Sequence, residues 1–176
     1  GSPGSAANPG YLYRLPLHGV FSYNLVGIVL GAARGMVEGV VDGLRGRTTM
    51  GGASLAATQS VQLRVAEAQA ELDAAYALIA RNLDEINRRA RAGQDMPIAD
   101  RVRYRRDNAF VAVQSVRAVD RVFPLVGGRG LELAEFVNRA WRDTHAAAHH
   151  IALTWDVMAA LAGAVALGLP CADPRI

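Results

Sequence analysis

The chain has 176 residues and a mass of 18.7 kDa, enough for one domain whose core buries roughly 70% of the unfolded surface. Hydrophobic residues make up 51% and charged residues 20%, which excludes a disordered chain, and the single cysteine, Cys171, excludes a disulfide scaffold or a multi-cysteine zinc site. The net charge of +3 arises from 19 basic residues, all arginine, dispersed among 16 acids, so it demands no nucleic-acid partner.

The opening Gly1-Ser-Pro-Gly-Ser5 has neither a basic region nor an apolar run. It reads as a cloning remnant and not as a signal peptide. Residues 1–10 are assigned to a tag remnant and flexible lead, 11–170 to one domain and 171–176 to a tail. Together with the single cysteine this leads us to expect a reducing, cytoplasmic setting. The apolar stretch 21–33 contains Asn24, ends at Arg34 and falls short of the roughly 20 residues a bilayer requires, so no membrane association is expected.

Residues 20–45 carry Leu25, Val29, Ala32, Met36 and Val40 at steps of three and four, the mark of a helix. Gly27, Gly31, Gly35 and Gly39 lie at i+4 on one stripe. Each costs about 1 kcal/mol of helix propensity relative to Ala, so the stripe predicts close approach of another helix, with Gly31 and Gly35 facing it. Residues 46–52 read as a loop. A second helix over 54–91 has the seam Leu72, Tyr76, Ile79, Leu83 and Ile86, and the break at 93–97 ends it. Asp100 suits the N-cap of a third helix, whose buried side is marked by Tyr104, Ala109, Val113, Val116 and Phe123. The arginine-rich run 101–106 reads as its solvated first turn. Residues 127–130 break the chain again, and a fourth helix runs from 131–136 to about 167, where Gly168-Leu-Pro170 stops it. No stretch alternates like a strand, so the fold class is all-α, an antiparallel four-helix bundle.

Three of the four histidines lie within six residues. His145 and His149 are i,i+4 and share a helical face, but the segment lacks the Glu of a zinc-protease helix, and no metal is expected. His150 falls about 100° round the same helix from His149. Asp143 lies seven residues before His150, where it could fix a histidine tautomer or pair with Arg142. Gly127-Gly128 ahead of a helix can turn backbone N–H groups toward a phosphate, or can be an ordinary turn.

Four stretches in this order resemble a known family: Tyr13-Arg-Leu-Pro16 with Phe21; Leu30-Gly-Ala-Ala-Arg-Gly35; Arg105-Arg-Asp107 through Ala118-Val-Asp-Arg-Val-Phe123 to Val126-Gly-Gly128; and Asn138-Arg-Ala-Trp-Arg-Asp143 with His145, His150 and Gly168-Leu-Pro170. The chain resembles the C-terminal helical domain of the acyl-CoA dehydrogenase superfamily, in the reduced-flavin-dependent monooxygenase branch of the 4-hydroxyphenylacetate 3-hydroxylase and dibenzothiophene monooxygenase type. The resemblance implies a four-helix bundle that packs behind an N-terminal helical domain and a middle β-domain of the same enzyme. It implies reduced flavin, FMN or FAD, supplied by a separate reductase and bound between the middle domain and the bundle, and a homo-oligomer, dimer or tetramer.

By the same resemblance, Val126, Gly127 and Gly128 approach the flavin phosphate or adenosine, with Arg129 where a small hydroxylated residue is common. Arg47 falls near a flavin-contacting basic position, and His150 reaches the flavin ring or the substrate. Arg142-Asp143 match a pair that orients the last helix. His150, His145 and Asp143 are thus the candidate catalytic residues, and Arg47, Val126, Gly127, Gly128 and Arg129 the candidate cofactor contacts. The expected function is hydroxylation of an aromatic or polyketide-like small molecule with reduced flavin and oxygen. An acyl-CoA dehydrogenase or oxidase is the alternative, although its catalytic Glu has no match, since Glu132 and Glu135 look like acids of a helix first turn. A non-catalytic helical oligomerisation module is the second alternative.

Overall fold

The computed structural model describes residues 3–173 and Ile176; Gly1 and Ser2 of the assigned lead and Pro174 and Arg175 of the assigned tail lie outside the described residues. A short helix α1, Pro3–Ala7, and a 3-10 turn, Tyr11–Arg14, precede the long helices α2, Leu17–Leu44, α3, Gln59–Arg91, and α4, Ile98–Val122. Two shorter helices follow, α5, Phe136–Ala148, and α6, Trp155–Ala166. The all-α bundle expected from periodicity is present, and among the described residues the only β feature is an isolated bridge between Thr48 and Ser54.

Helices α2 and α4 form the centre of the bundle: α3, α4 and α5 pack on α2, and α2, α3, α5 and α6 on α4. Val26, Val29, Ala33, Met36, Val37 and Val40 form the buried stripe of α2. The segment Gly19–Leu44 is long and apolar enough, by length and composition, to cross a membrane, further than the stretch 21–33 suggested. A helix wrapped by three others has an apolar composition for the same reason.

The single last helix expected from the sequence is two helices. His149 ends α5, and His150 and Thr154, both with extended backbone, bracket the 3-10 turn Ile151–Leu153 before α6 begins. No glycine or proline marks the break. The His150 ring accepts the Ala152 backbone N–H at 3.1 Å, a local bond that competes with the helical ladder. The turn also drives Ala152 and Leu153 into the core.

The buried face of α3 is rotated from the expected seam. Leu72, Ala75, Ile79, Asn82 and Ile86 face inward, while Tyr76 is 57% exposed and Leu83 lies at the surface. Asn82 displaces Leu83 because it serves a buried acid. Asp107 of α4, 2% exposed, accepts hydrogen bonds from Asn82 Nδ2 at 2.9 Å and Arg81 Nη2 at 3.1 Å, and pairs with Arg106. Asp100 is not the N-cap; Pro97 precedes α4, and Asp100 sits in its first turn, 2.9 Å from Arg89 and 3.2 Å from Arg103. The arginine run is not the solvated turn expected: Arg103 and Arg106 form ion pairs, Arg101 donates to the Met96 carbonyl and Arg105 is buried.

The glycine stripe also departs from expectation. A Cβ on Gly27 or Gly31 would meet nothing within 4 Å, and on Gly35 only Phe136 Cζ at 3.9 Å. The close approach is at Gly39, where Phe136 Cε1 lies 3.1 Å from a Cβ position. It is made by one aromatic ring at the start of α5, not by a helix backbone.

A glycine-turn groove and a histidine corner

The chain leaves α2 at Leu44 and brings Arg47 beside the connection between α4 and α5. That connection is two 3-10 turns, Phe123–Val126 and Gly128–Leu131, hinged at Gly127 with φ 71° and ψ −159°. Only glycine takes this conformation without strain. Arg47 Nη1 donates to the carbonyls of Leu125 at 3.2 Å and Val126 at 3.0 Å, which ties the first turn to the end of α2. The result is a groove of about 270 Å³ lined by Gly39, Gly43, Arg47, Val126, Arg129 and Glu135.

Four of the five expected cofactor contacts, Arg47, Val126, Gly127 and Arg129, are thereby brought together, with Gly128 next in the chain and open space at its Cβ position. Arg129 Nη2 pairs with Glu135 at 2.8 Å. Glu135 is the N-cap residue of α5 and Glu132 lies before it, so neither is a first-turn acid of the helix. The second turn is held from behind by Asn138, whose Nδ2 donates to the Gly130 carbonyl at 2.9 Å.

The candidate catalytic residues do not form one constellation. His145 is turned toward α4: its Nε2 lies 3.2 Å from Asp120 Oδ1 and its Nδ1 2.9 Å from the Trp141 carbonyl. Trp141 Nε1 donates to the same Asp120 oxygen at 2.8 Å. The Trp141 ring lies 4.2 Å from the His145 ring and stacks on Phe123 at 5.1 Å. His145 is therefore part of a brace that runs through Trp141 to Phe123, the first residue of the groove's turn. Asp120 and Trp141 were not singled out from the sequence; the i,i+4 spacing of Trp141 and His145 was the available signal, but Asp120 is supplied by another helix.

Asp143 is exposed and makes no ion pair among the described residues. Its two-turn register with His150 is void because α5 stops at Ala148. His149 and His150 instead form the α5–α6 corner, both exposed. His149 Nδ1 lies 2.7 Å from the His145 carbonyl, and the residue lines an apolar hollow of about 310 Å³ with Val113, Val116, Leu153 and Trp155. Among the described residues no group of three or more His, Cys, Asp or Glu is positioned for a metal. The groove and the corner lie at opposite ends of α5, whose 13 residues span about 20 Å.

Residues 23–155 match the family described as acyl-CoA dehydrogenase, C-terminal domain. The chain belongs to that family. The match takes in α2 from its seventh residue, α3, α4, α5 and the corner, and reaches only the first residue of α6. The domain is 34% identical over 90% of its length to the oxygenase component of an FADH2-dependent resorcinol hydroxylase from a Rhizobium strain. It is 29% identical over 98% of its length to the oxygenase subunit HsaA of a flavin-dependent monooxygenase from Mycobacterium tuberculosis. The crystal structure of 3-HSA hydroxylase from a Rhodococcus strain superposes on 99% of the domain with a TM-score of 0.88 at 25% identity. The domain is thus homologous to oxygenase components of flavin-dependent hydroxylases. It spans 41% of the resorcinol hydroxylase component and 44% of the HsaA subunit, less than half of either.

Proposed function

We propose that this chain is the C-terminal domain of the oxygenase component of a two-component flavin-dependent monooxygenase that hydroxylates a phenolic small molecule. The observation that carries the reading is the sequence likeness along 90% of the chain to an FADH2-dependent resorcinol hydroxylase component, the basis for choosing FAD over FMN. The groove supports it independently of the name. Two guanidinium groups, Arg47 and Arg129, flank a glycine hinge whose backbone a phosphate can approach, and open space lies over Gly128. Arg47 uses Nη1 on the turn and has further donors for an anion. These residues fit the phosphate and adenosine end of a flavin dinucleotide.

Reduced flavin, when bound, supplies the electrons that activate oxygen for hydroxylation. The domain's own part is to hold and shield. Arg47 orders the turn, Arg129 offers charge at the groove's rim with Glu135 holding its guanidinium, and the corner presents imidazoles about 20 Å away along α5. That separation excludes one compact ring system touching both ends. An extended dinucleotide, or a cofactor shared between copies of the chain in a homo-oligomeric enzyme fed by a separate reductase, would serve both ends.

The test is an anaerobic titration of the oxygenase that carries this domain with FADH2 and FMNH2, followed by oxygen and a panel of phenols. Tighter binding of FADH2 and incorporation of one atom of labelled oxygen into a phenol are the expected results. A protein that binds neither flavin, or that oxidises acyl-CoA thioesters instead, would sink the reading. The dehydrogenase alternative has less support, because its catalytic Glu has no match and Glu135 is taken up by Arg129.

A further inference from the structure

The two histidines of the α5–α6 corner each use the same ring atom on the backbone, in opposite senses. His150 Nδ1 faces the Ala152 backbone N–H at 3.1 Å. A backbone N–H can only donate, so Nδ1 must offer its lone pair, and the proton of the neutral ring resides on Nε2. His149 Nδ1 faces the His145 carbonyl at 2.7 Å. A carbonyl can only accept, so here Nδ1 carries the proton and Nε2 of the neutral ring is bare.

We propose that the backbone of the corner fixes the neighbouring imidazoles in opposite tautomers, so that His150 serves as an Nε2–H hydrogen-bond donor and not as a base, while the free lone pair of the corner belongs to His149. Its functional half rests on the monooxygenase reading; its tautomeric half does not. A base must receive its proton at the atom that faces the reactant. The outward atom of neutral His150, Nε2, already holds one. Protonating His150 at Nδ1 would sacrifice the Ala152 bond that opens the turn Ile151–Leu153, which sets Ala152 and Leu153 into the core. His150 is therefore suited to donate toward an oxygen on which negative charge develops, the same work as a donor in an oxyanion site. His149 has no such restriction, since its Nδ1–H bond to a carbonyl persists whether or not Nε2 takes up a proton.

Two measurements on the full oxygenase polypeptide decide the matter. Nitrogen-15 NMR of the imidazole rings should show His150 protonated on Nε2 and bare on Nδ1, and His149 the reverse, with no cofactor present. A proton on His150 Nδ1 would overturn the assignment whatever the enzyme does. For the functional half, His150→Asn keeps an acceptor near the Nδ1 position but loses the distal donor, and His150→Gln keeps a distal N–H but loses the cap. If His150 works as a donor, the Asn variant folds with an unchanged midpoint yet loses coupled hydroxylation on the order of 10²-fold, releasing hydrogen peroxide instead. The Gln variant is less stable but retains most of the coupling. The opposite ranking overturns the donor role. An enzyme that binds no reduced flavin would count against the monooxygenase reading, and the NMR result would still decide the tautomers.

Discussion

Gly31 and Gly39 stand eight residues apart on one face of α2, and the structure predicts opposite outcomes for the same substitution at the two sites. At Gly31 an added Cβ meets nothing within 4 Å. Replacing it with Leu removes the conformational freedom of glycine and gains close to 1 kcal/mol of helix propensity. For a domain of this size that is a rise of about 2–4 °C in melting midpoint. At Gly39 the first added carbon already lies 3.1 Å from Phe136 Cε1 and 3.4 Å from Cδ1. Overpacking of this kind costs about 1–3 kcal/mol, and the half-exposed Phe136 can yield only by lifting off α2. Against the same propensity gain, Gly39→Leu should fall between about neutral and 2 kcal/mol destabilising. Urea and thermal unfolding of both variants, read by circular dichroism at matched protein concentration, give the comparison. A lower midpoint for Gly31→Leu would refute the reasoning, because it would mean that another surface covers the Gly27–Gly31 face.

Asp107→Ala should cost about 1–3 kcal/mol in urea unfolding, because it strands Asn82 Nδ2 in the core and removes the partner of the more exposed Arg81 and Arg106; a loss below about 0.5 kcal/mol would show the network to be solvated. Burial pushes the Glu85 carboxyl up, but the hydrogen bond and charge of Arg103 outweigh it and hold the group below its ordinary 4.5. A depressed folded pKa stabilises above the unfolded value and is lost as pH falls through the folded one. Glu85→Gln should therefore be less stable than the native chain near neutral pH and equal to it in strong acid; a constant difference across that range would contradict the ion pair. Asp120→Ala removes the acceptor of both Trp141 Nε1 and His145 Nε2 and should loosen the turn Phe123–Val126, raising amide exchange at Gly127 and Gly130, whereas Asp120→Asn keeps an acceptor and should restore protection. Arg47→Ala should weaken reduced-flavin binding by roughly tenfold, the loss of a charge-assisted bond, with little change in turnover at saturating flavin; an unaltered dissociation constant would remove Arg47 from the cofactor site.

Much of the architecture was legible because helical periodicity is a local property. The breaks at residues 93–97 and 127–130 contain glycine or proline, which act on their own backbone whatever surrounds them. Arg47, Val126 and Gly127, grouped from the family likeness, come from two distant segments and lie side by side. The rest was decided between elements. Asn82 outcompetes Leu83 for the interior of α3 because Asp107 of another helix requires a donor there. His145 is tied into a brace because Asp120, on α4, takes its ring. The glycine stripe looks uniform along the chain, but only Gly39 is closely approached, since one aromatic ring at the start of α5 reaches that level, grazes Gly35 and leaves Gly27 and Gly31 open. The α5–α6 corner has no breaker residue; a helix that could have continued through His149 and His150 bends because the turn buries Leu153 and the His150 ring satisfies the Ala152 amide. Periodicity and breakers depend on residues a few positions apart, so they are written in the sequence. Which of two adjacent side chains is buried, and which face of a helix is covered, depend on partners from other segments, and only the assembled bundle supplies them.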